Sequence, residues 1–213
     1  MLRSIRIPDT ATQLLIIRNE MYIIRLAEEK DYQTILAIYT PFIIETAFTF
    51  DCDVPSLAEF SKKVEHTLLN FPWLVCELDN RVVGYAYASK HRDRSAYEWS
   101  AESSVYVSSD LHQKGVGRSL YAVLFELLNI QGLVNVYAGI TLPNIKSEKF
   151  HETIGFRTVG TYSNIGYKLG HWHSVKWMEL SLSKHSDSPR KPIPFSEIRS
   201  SDKCVAALGR VFR

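Results

Sequence analysis

Three cysteines in 213 residues leave little room for covalent or metal-held architecture. Cys52, Cys76 and Cys204 share no metal-ligand spacing, and an odd count argues against a disulfide framework. No stretch reaches the roughly 18 consecutive apolar residues that a membrane span needs. The first twenty residues hold only one short apolar patch, Leu14-Leu15-Ile16-Ile17, without the length or small-residue cleavage site of a secretory signal. Internal repeats are absent. These absences predict a cytoplasmic protein with no membrane partner. Charge of one sign is also lacking: the formal net charge is +2. Residues 21–183 hold 15 Lys and Arg against 18 Asp and Glu, so the body of the chain is mildly acidic and does not read as a nucleic-acid surface. Residues 184–213, with seven basic and three acidic side chains, are the one candidate for such a surface.

What is present fits a single globular domain with a sizeable core, given 46% hydrophobic and 23% charged residues. Residues 1–20 read as an N-terminal extension, or as an upstream start-codon choice. Residues 21–183 read as the domain. Residues 184–213 bring Pro189, Pro192 and Pro194 into a polar, basic segment that reads as a flexible tail, with one docked turn at most in Val205–Leu208. Within the domain, Met21–Leu26 opens as a strand, and Glu28–Tyr39 has helical spacing with acids at its front. Ser56-Leu57-Ala58-Glu59 is a capping box ahead of a helix to about Leu69. Trp73–Leu78 and Arg81–Ser89 flank Asp79-Asn80 as a hairpin. Trp99–Val107 is a strand, and Gly115–Gln131 an amphipathic helix stopped by Gly132. Strand Asn135–Thr141 and short helix Ile145–Thr153 follow, then closing strands Phe156–Tyr162 and Val175–Ser181. This order gives an α+β fold with a mixed central sheet flanked by helices.

The most informative run is Val105-Tyr106-Val107-Ser108-Ser109-Asp110-Leu111-His112-Gln113-Lys114-Gly115-Val116-Gly117-Arg118. It is a strand, a glycine-bearing turn and a helix start. Gly115 and Gly117 allow close backbone approach to a ligand, and the free N–H groups of the new helix favour an anion. The physical reading is a pyrophosphate cradle. Upstream, Glu102 sits on the strand that feeds it. A carboxylate in a mostly apolar strand costs free energy unless it is paired or solvated by a cleft. It is therefore either a proton acceptor in a site or a structural acid bonded to backbone or to an arginine.

The spacing around Gly115 and Gly117 resembles the acetyl-CoA motif of the GNAT N-acetyltransferases, Q/R-x-x-G-x-G/A. His112 takes the place of the usual Gln or Arg, which weakens one expected backbone contact, while both glycines are in register. Longer segments resemble the phosphinothricin and methionine sulfoximine N-acetyltransferases within that superfamily: Ala96-Tyr97-Glu98-Trp99-Ser100-Ala101-Glu102-Ser103, Leu142-Pro143-Asn144, His151-Glu152-Thr153-Ile154-Gly155-Phe156, and Gly166–His173. The match runs in order from about Tyr22 to Leu182.

The resemblance implies a GNAT fold, in which parallel strands Trp99–Val107 and Asn135–Thr141 splay apart to admit acetyl-CoA. It implies that Glu102 is the general base and that His151 lies by the substrate and helps to handle protons. The backbone of Val105, Tyr106 and Val107 would pair with the pantetheine arm. Gln113, Lys114, Gly115, Val116, Gly117 and Arg118 would hold the pyrophosphate. Asn144 would bond to the cofactor, although a plain helix N-cap explains it as well. Many GNAT enzymes place a tyrosine on the second helix as acid for the thiolate; here the neighbour of His151 is Phe150. Arg92, Arg94 and Tyr97 would form a substrate loop, and an arginine pair suits a carboxylate or phosphinate. No metal is implied. His171-Trp172-His173 has two imidazoles on one strand face but no third ligand at supporting spacing, so packing or substrate contact is the better reading. A homodimer acting on a small amino-acid substrate completes the implied picture. Two rivals stay open: acetylation of another amine, such as a polyamine or a peptide N-terminus, and a non-catalytic acetyl-CoA sensor whose basic tail touches nucleic acid or a partner.

Overall fold

The computed structural model describes residues 13–17, 20–111 and 114–208. Eight strands form one mixed sheet: β1 (Gln13–Ile17), β2 (Glu20–Leu26), β3 (Trp73–Leu78), β4 (Arg81–Lys90), β5 (Ser100–Val107), β6 (Asn135–Thr141), β7 (Arg157–Lys168) and β8 (His171–Ser181). Their order across the sheet is β1-β2-β3-β4-β5-β6-β8-β7. Every neighbouring pair is antiparallel except β5 with β6. Among the described residues six helices flank the sheet: α1 (Tyr32–Glu45), α2 (Leu57–Asn70), α3 (Val116–Gln131), α4 (Ile145–Ile154), α5 (Phe195–Ile198) and α6 (Asp202–Leu208).

Strand alternation builds two cores. On β3, Leu74 and Cys76 join the core under α3, while Trp73 and Val75 join the one under α1 and α2. Both faces of β3 and β4 are covered, which explains why Trp73–Cys76 and Val82–Ala86 read as unbroken apolar runs. The first core holds Leu120, Leu124 and Leu128 of α3. The second holds Ile35, Tyr39, Ile43, Phe60 and a stack of Trp73 on Tyr87, with ring centroids 4.0 Å apart.

The local signals at turns and caps hold. Ser56 and Glu59 form the reciprocal capping box at α2. Asp79 and Asn80 take left-handed φ values of 49° and 61° in the β3–β4 turn. Four readings need correction. The first long helix starts after a short 3₁₀ turn and continues past Tyr39 through Pro41 to Glu45, because Ile43 extends the buried stripe of Ile35, Leu36 and Tyr39. The last two strands are longer than their apolar ends and form one hairpin, with β7 running on to Lys168 and β8 starting at His171. Part of the N-terminal extension belongs to the sheet, since Gln13–Ile17 pairs with β2.

The fourth correction concerns the tail, which packs as a strap rather than lying loose as far as residue 208. Phe195, Cys204, Ala207 and Leu208 are all buried in the core under α3. Gln131 fastens the strap from below, donating to the carbonyls of Asn70 and Ile193 at 2.8 and 2.9 Å, while Ile193 N–H returns to the Gln131 carbonyl at 2.9 Å. Trp99 Nε1–H donates to the Arg190 carbonyl at 2.7 Å. The prolines set the strap's course and a few apolar side chains anchor it. Full burial of one side chain such as Phe195 contributes roughly 1.5–3 kcal/mol, enough to outweigh a polar composition locally.

Candidate active site

The site starts where the sheet comes apart. β5 and β6 pair in parallel only through Ser100, Ala101 and Glu102 against Asn135, Val136 and Tyr137. Beyond those pairs the strands diverge, each held on its other side, β5 by β4 and β6 by β8. The divergence opens a cleft of about 1030 Å³. Its walls are β5 from Ser103, β6 from Ala138, the first turn of α3, and α4. Val105, Tyr106, Val107, Gly115, Val116, Gly117, Arg118, Asn144 and His151 all line it, so one space collects most of the residues the sequence marked. Gln113 and His112 lie outside the described residues. Lys114 precedes the helix but does not line the cleft.

The cradle has the expected mechanics. Gly115 caps α3 with φ of +86°, a conformation that side-chain-bearing residues rarely adopt, and among the described residues no side chain caps the first turn. Its N–H groups are therefore left for a ligand, with the helix dipole favouring an anion. At Gly117 a Cβ would stand 3.2 Å from the Phe150 ring, so any larger residue would push against α4. Asn144 does cap α4, its Oδ1 accepting from Ser147 N–H at 3.2 Å. Ser103 Oγ is buried at the cleft wall, next to the Tyr121 hydroxyl.

His151 is buried on α4 between the rings of Tyr121, Phe150 and Phe156. Its Nδ1 lies 2.8 Å from the Ser147 carbonyl, which can only accept, so Nδ1 carries the proton. Nε2 is then the acceptor for the Tyr121 hydroxyl at 3.3 Å. Burial pushes the His151 imidazole below its ordinary value, against a smaller lift from the Ser147 carbonyl. Burial likewise holds the Tyr121 phenol far above its ordinary range, opposed in part by the Ser103 hydroxyl. At neutral pH this is a neutral pair with one defined hydrogen bond. Tyr121 was not marked by the sequence reading. The signal was its position one helical turn after Gly117, which puts both on the α3 face toward α4.

Glu102 sits at the last position where β5 pairs with β6, opposite Tyr137 on one side and Ser89 of β4 on the other. Alternation turns it to the sheet face opposite Ser103, the face of α1 and α2. Its side chain is 34% exposed, and Oε1 is 3.0 Å from His91 Nδ1. The structure thus separates Glu102 and His151 onto two faces of β5, at the point where the strands part. Arg92 and Arg94 are exposed on the loop after β4 and line neither this cleft nor the smaller one under the strap. Tyr97, from the same loop, is half exposed at the strap cavity and meets His91 edge-on at 6.1 Å. His173 bonds through Nε2 to the Lys168 carbonyl at 3.0 Å, which is a packing role. Among the described residues no group of three His, Cys, Asp or Glu could hold a metal, and no helix is long and apolar enough to cross a membrane.

A sheet split between two parallel strands, with a bare helix N-terminus at the mouth of the split, defines an acyltransferase-type scaffold. Residues 24–177 match the acetyltransferase (GNAT) domain, and the chain belongs to that family. It is 34% identical over 176 residues to phosphinothricin N-acetyltransferase of Streptomyces viridochromogenes, covering 82% of this chain and 95% of the relative. It is 30% identical over 164 residues to the L-methionine sulfoximine/L-methionine sulfone acetyltransferase of Salmonella typhimurium, covering 76% and 96%. The crystal structure of a phosphinothricin acetyltransferase from Sinorhizobium meliloti in complex with acetyl-CoA superposes with a TM-score of 0.74 at 27% identity, covering 81% and 97%. The protein is an enzyme of the N-acetyltransferase class.

Proposed function

We propose that the protein transfers the acetyl group of acetyl-CoA to the α-amino group of a small amino acid or a toxic analogue, phosphinothricin and methionine sulfoximine or sulfone being the leading candidates. The observation that carries this reading is the parting of β5 and β6 directly after Glu102, which leaves a carboxylate at the point where the strands diverge to form an anion-ready cleft. The cleft suits acetyl-CoA on three counts. The first turn of α3 offers N–H groups to a pyrophosphate, with Arg118 beside it. The diverging strand edge offers main-chain groups that an extended amide-bearing arm can pair with like an added strand. Ser103 Oγ and Asn144 supply polar groups at the wall.

When bound, acetyl-CoA supplies a thioester carbonyl open to attack by an amine and a thiolate that leaves readily. The protein's part is to keep the amine neutral and to place it. Glu102 takes the proton from the attacking nitrogen, directly or through water. The neutral Tyr121–His151 pair holds a hydroxyl on the cofactor side of β5, where the thiolate departs. Arg92, Arg94 and Tyr97 lie on the loop after β4 and receive the substrate's acidic group from the Glu102 side. The exposed Tyr162, Ile165, Tyr167, Leu169 and Trp172 of the β7–β8 hairpin form the face through which two copies associate as a homodimer.

Free-thiol release from acetyl-CoA tests the substrate class, with phosphinothricin, methionine sulfone, glutamate and spermidine in parallel. Turnover confined to the amino acids supports the proposal. Turnover of spermidine instead moves the chain to another amine, and binding of acetyl-CoA without turnover on any amine favours the sensor reading. Light scattering at increasing concentration gives the mass that decides the dimer.

A further inference from the structure

We propose that His91 is a positioning residue for Glu102: its Nδ1–H holds one carboxylate oxygen and leaves the other to receive the proton of the incoming amine. The inference rests on the reading of Glu102 as the base. It starts from a contrast within one loop. Arg92 to Tyr97 are exposed, yet His91, directly after the end of β4, keeps only 12% of its side-chain surface. Its ring lies flat on Tyr137, with centroids 4.4 Å apart and planes 14° from parallel. Tyr97 and Trp177 meet it edge-on at 6.1 and 5.9 Å. Three aromatic rings from the loop, β6 and β8 therefore fix the plane of one imidazole.

That plane is aimed. Ser89 pairs with Glu102 across the β4–β5 ladder, and His91, two residues further on, emerges toward the same face. His91 Nδ1 reaches Glu102 Oε1 at 3.0 Å. An ionised carboxylate only accepts, so Nδ1 is the donor whether the ring is neutral or charged. A glutamate left to itself has three rotatable bonds and is one-third exposed here, so its carboxylate would sample many orientations. With Oε1 held, the free oxygen points to one place at the strand split, and orientation of that kind is worth roughly ten- to a hundredfold in rate. Tyr137 faces Glu102 across the last parallel pair, so the residue that supports the ring belongs to the strand that parts from the base.

Four variants and one spectrum test this, with phosphinothricin and methionine sulfone as acceptors. His91→Phe keeps a ring against Tyr137 and removes the donor. His91→Asn puts an amide N–H near the Nδ1 position. The expected result is a ten- to hundredfold fall in kcat for His91→Phe with unchanged KM for acetyl-CoA and an unchanged melting midpoint, and recovery of most of that loss in His91→Asn. In a Glu102→Gln background, His91→Phe adds no further loss. Full turnover by His91→Phe while Glu102→Gln is inactive overturns the role of His91 and leaves the base reading standing. Full turnover by Glu102→Gln removes the base reading itself. Independently of activity, nitrogen NMR of histidine-labelled protein, assigned by difference with His91→Phe, shows Nδ1 of His91 protonated. A bare Nδ1 overturns the proposal.

Discussion

The two faces of β5 carry two histidines in unlike settings. On the α3 side, His151 is sealed among aromatic rings, its tautomer set by a backbone carbonyl and its second nitrogen engaged by Tyr121. On the α1–α2 side, His91 is also packed by rings, but its hydrogen bond goes to a carboxylate that keeps contact with solvent. Burial without a counter-charge keeps the first imidazole neutral. The second has a potential ion-pair partner. The same side chain therefore serves a histidine–tyrosine pair facing the cofactor cleft and a histidine–carboxylate pair at the strand split.

The largest expected effect breaks the comparison at Glu102. Glu102→Gln should lower kcat by about 10²–10⁴-fold, the usual contribution of a positioned base, while the acetyl-CoA Kd measured by calorimetry stays within about twofold. If the cofactor affinity falls with the rate, the two faces are not independent. Next comes the cofactor face alone. Gly117→Val drives a side chain into the Phe150 ring and should weaken acetyl-CoA by about tenfold or more, with phosphinothricin turnover recovering at saturating cofactor. A smaller effect is expected from His151→Phe, which leaves the buried Tyr121 hydroxyl without its acceptor. Denaturant unfolding should show a loss of about 1–3 kcal/mol, with a smaller fall in kcat than for Glu102→Gln.

The smallest effect is in pH. The folded-state value of His151 is depressed below the ordinary 6.5. Above pH 6.5 the ring is neutral in both folded and unfolded chains, so its contribution to stability is complete there. Below 6.5 the unfolded chain takes up the proton first, and stability is lost as pH falls toward the folded-state value. Melting midpoints between pH 7.5 and 5.5 should therefore decline less steeply in His151→Phe than in the parent chain. Identical slopes would mean that His151 is not sealed as described.

Local chemistry made much of the protein legible. The capping box at Ser56, the Asp79-Asn80 turn, the Gly115–Gly117 helix start and the stop at Gly132 each act over four or five residues, and each appears as read. Glu102 was visible as a carboxylate out of place in an apolar strand, whereas Asn144 and His151 were marked by the family resemblance. His91 was not, because a histidine in a polar loop carries no signal until the β4–β5 register sets it beside Glu102. Tyr121 looked like one more core aromatic of an amphipathic helix. The strap was misread for a related reason: composition averages over a segment, whereas Phe195 and Cys204 act singly by finding a place in the core.

The sequence by itself determined most of the strands and helices between residues 21 and 183 and the glycine turn, since periodicity, caps and turns depend on neighbours along the chain. Only the tertiary structure decided that β5 and β6 part after three pairs, that Glu102 and His151 fall on opposite faces, and that the last segment closes over α3. Those outcomes depend on which strand lies beside which and in what register, and a one-residue shift in register would turn every side chain of β5 to the other face.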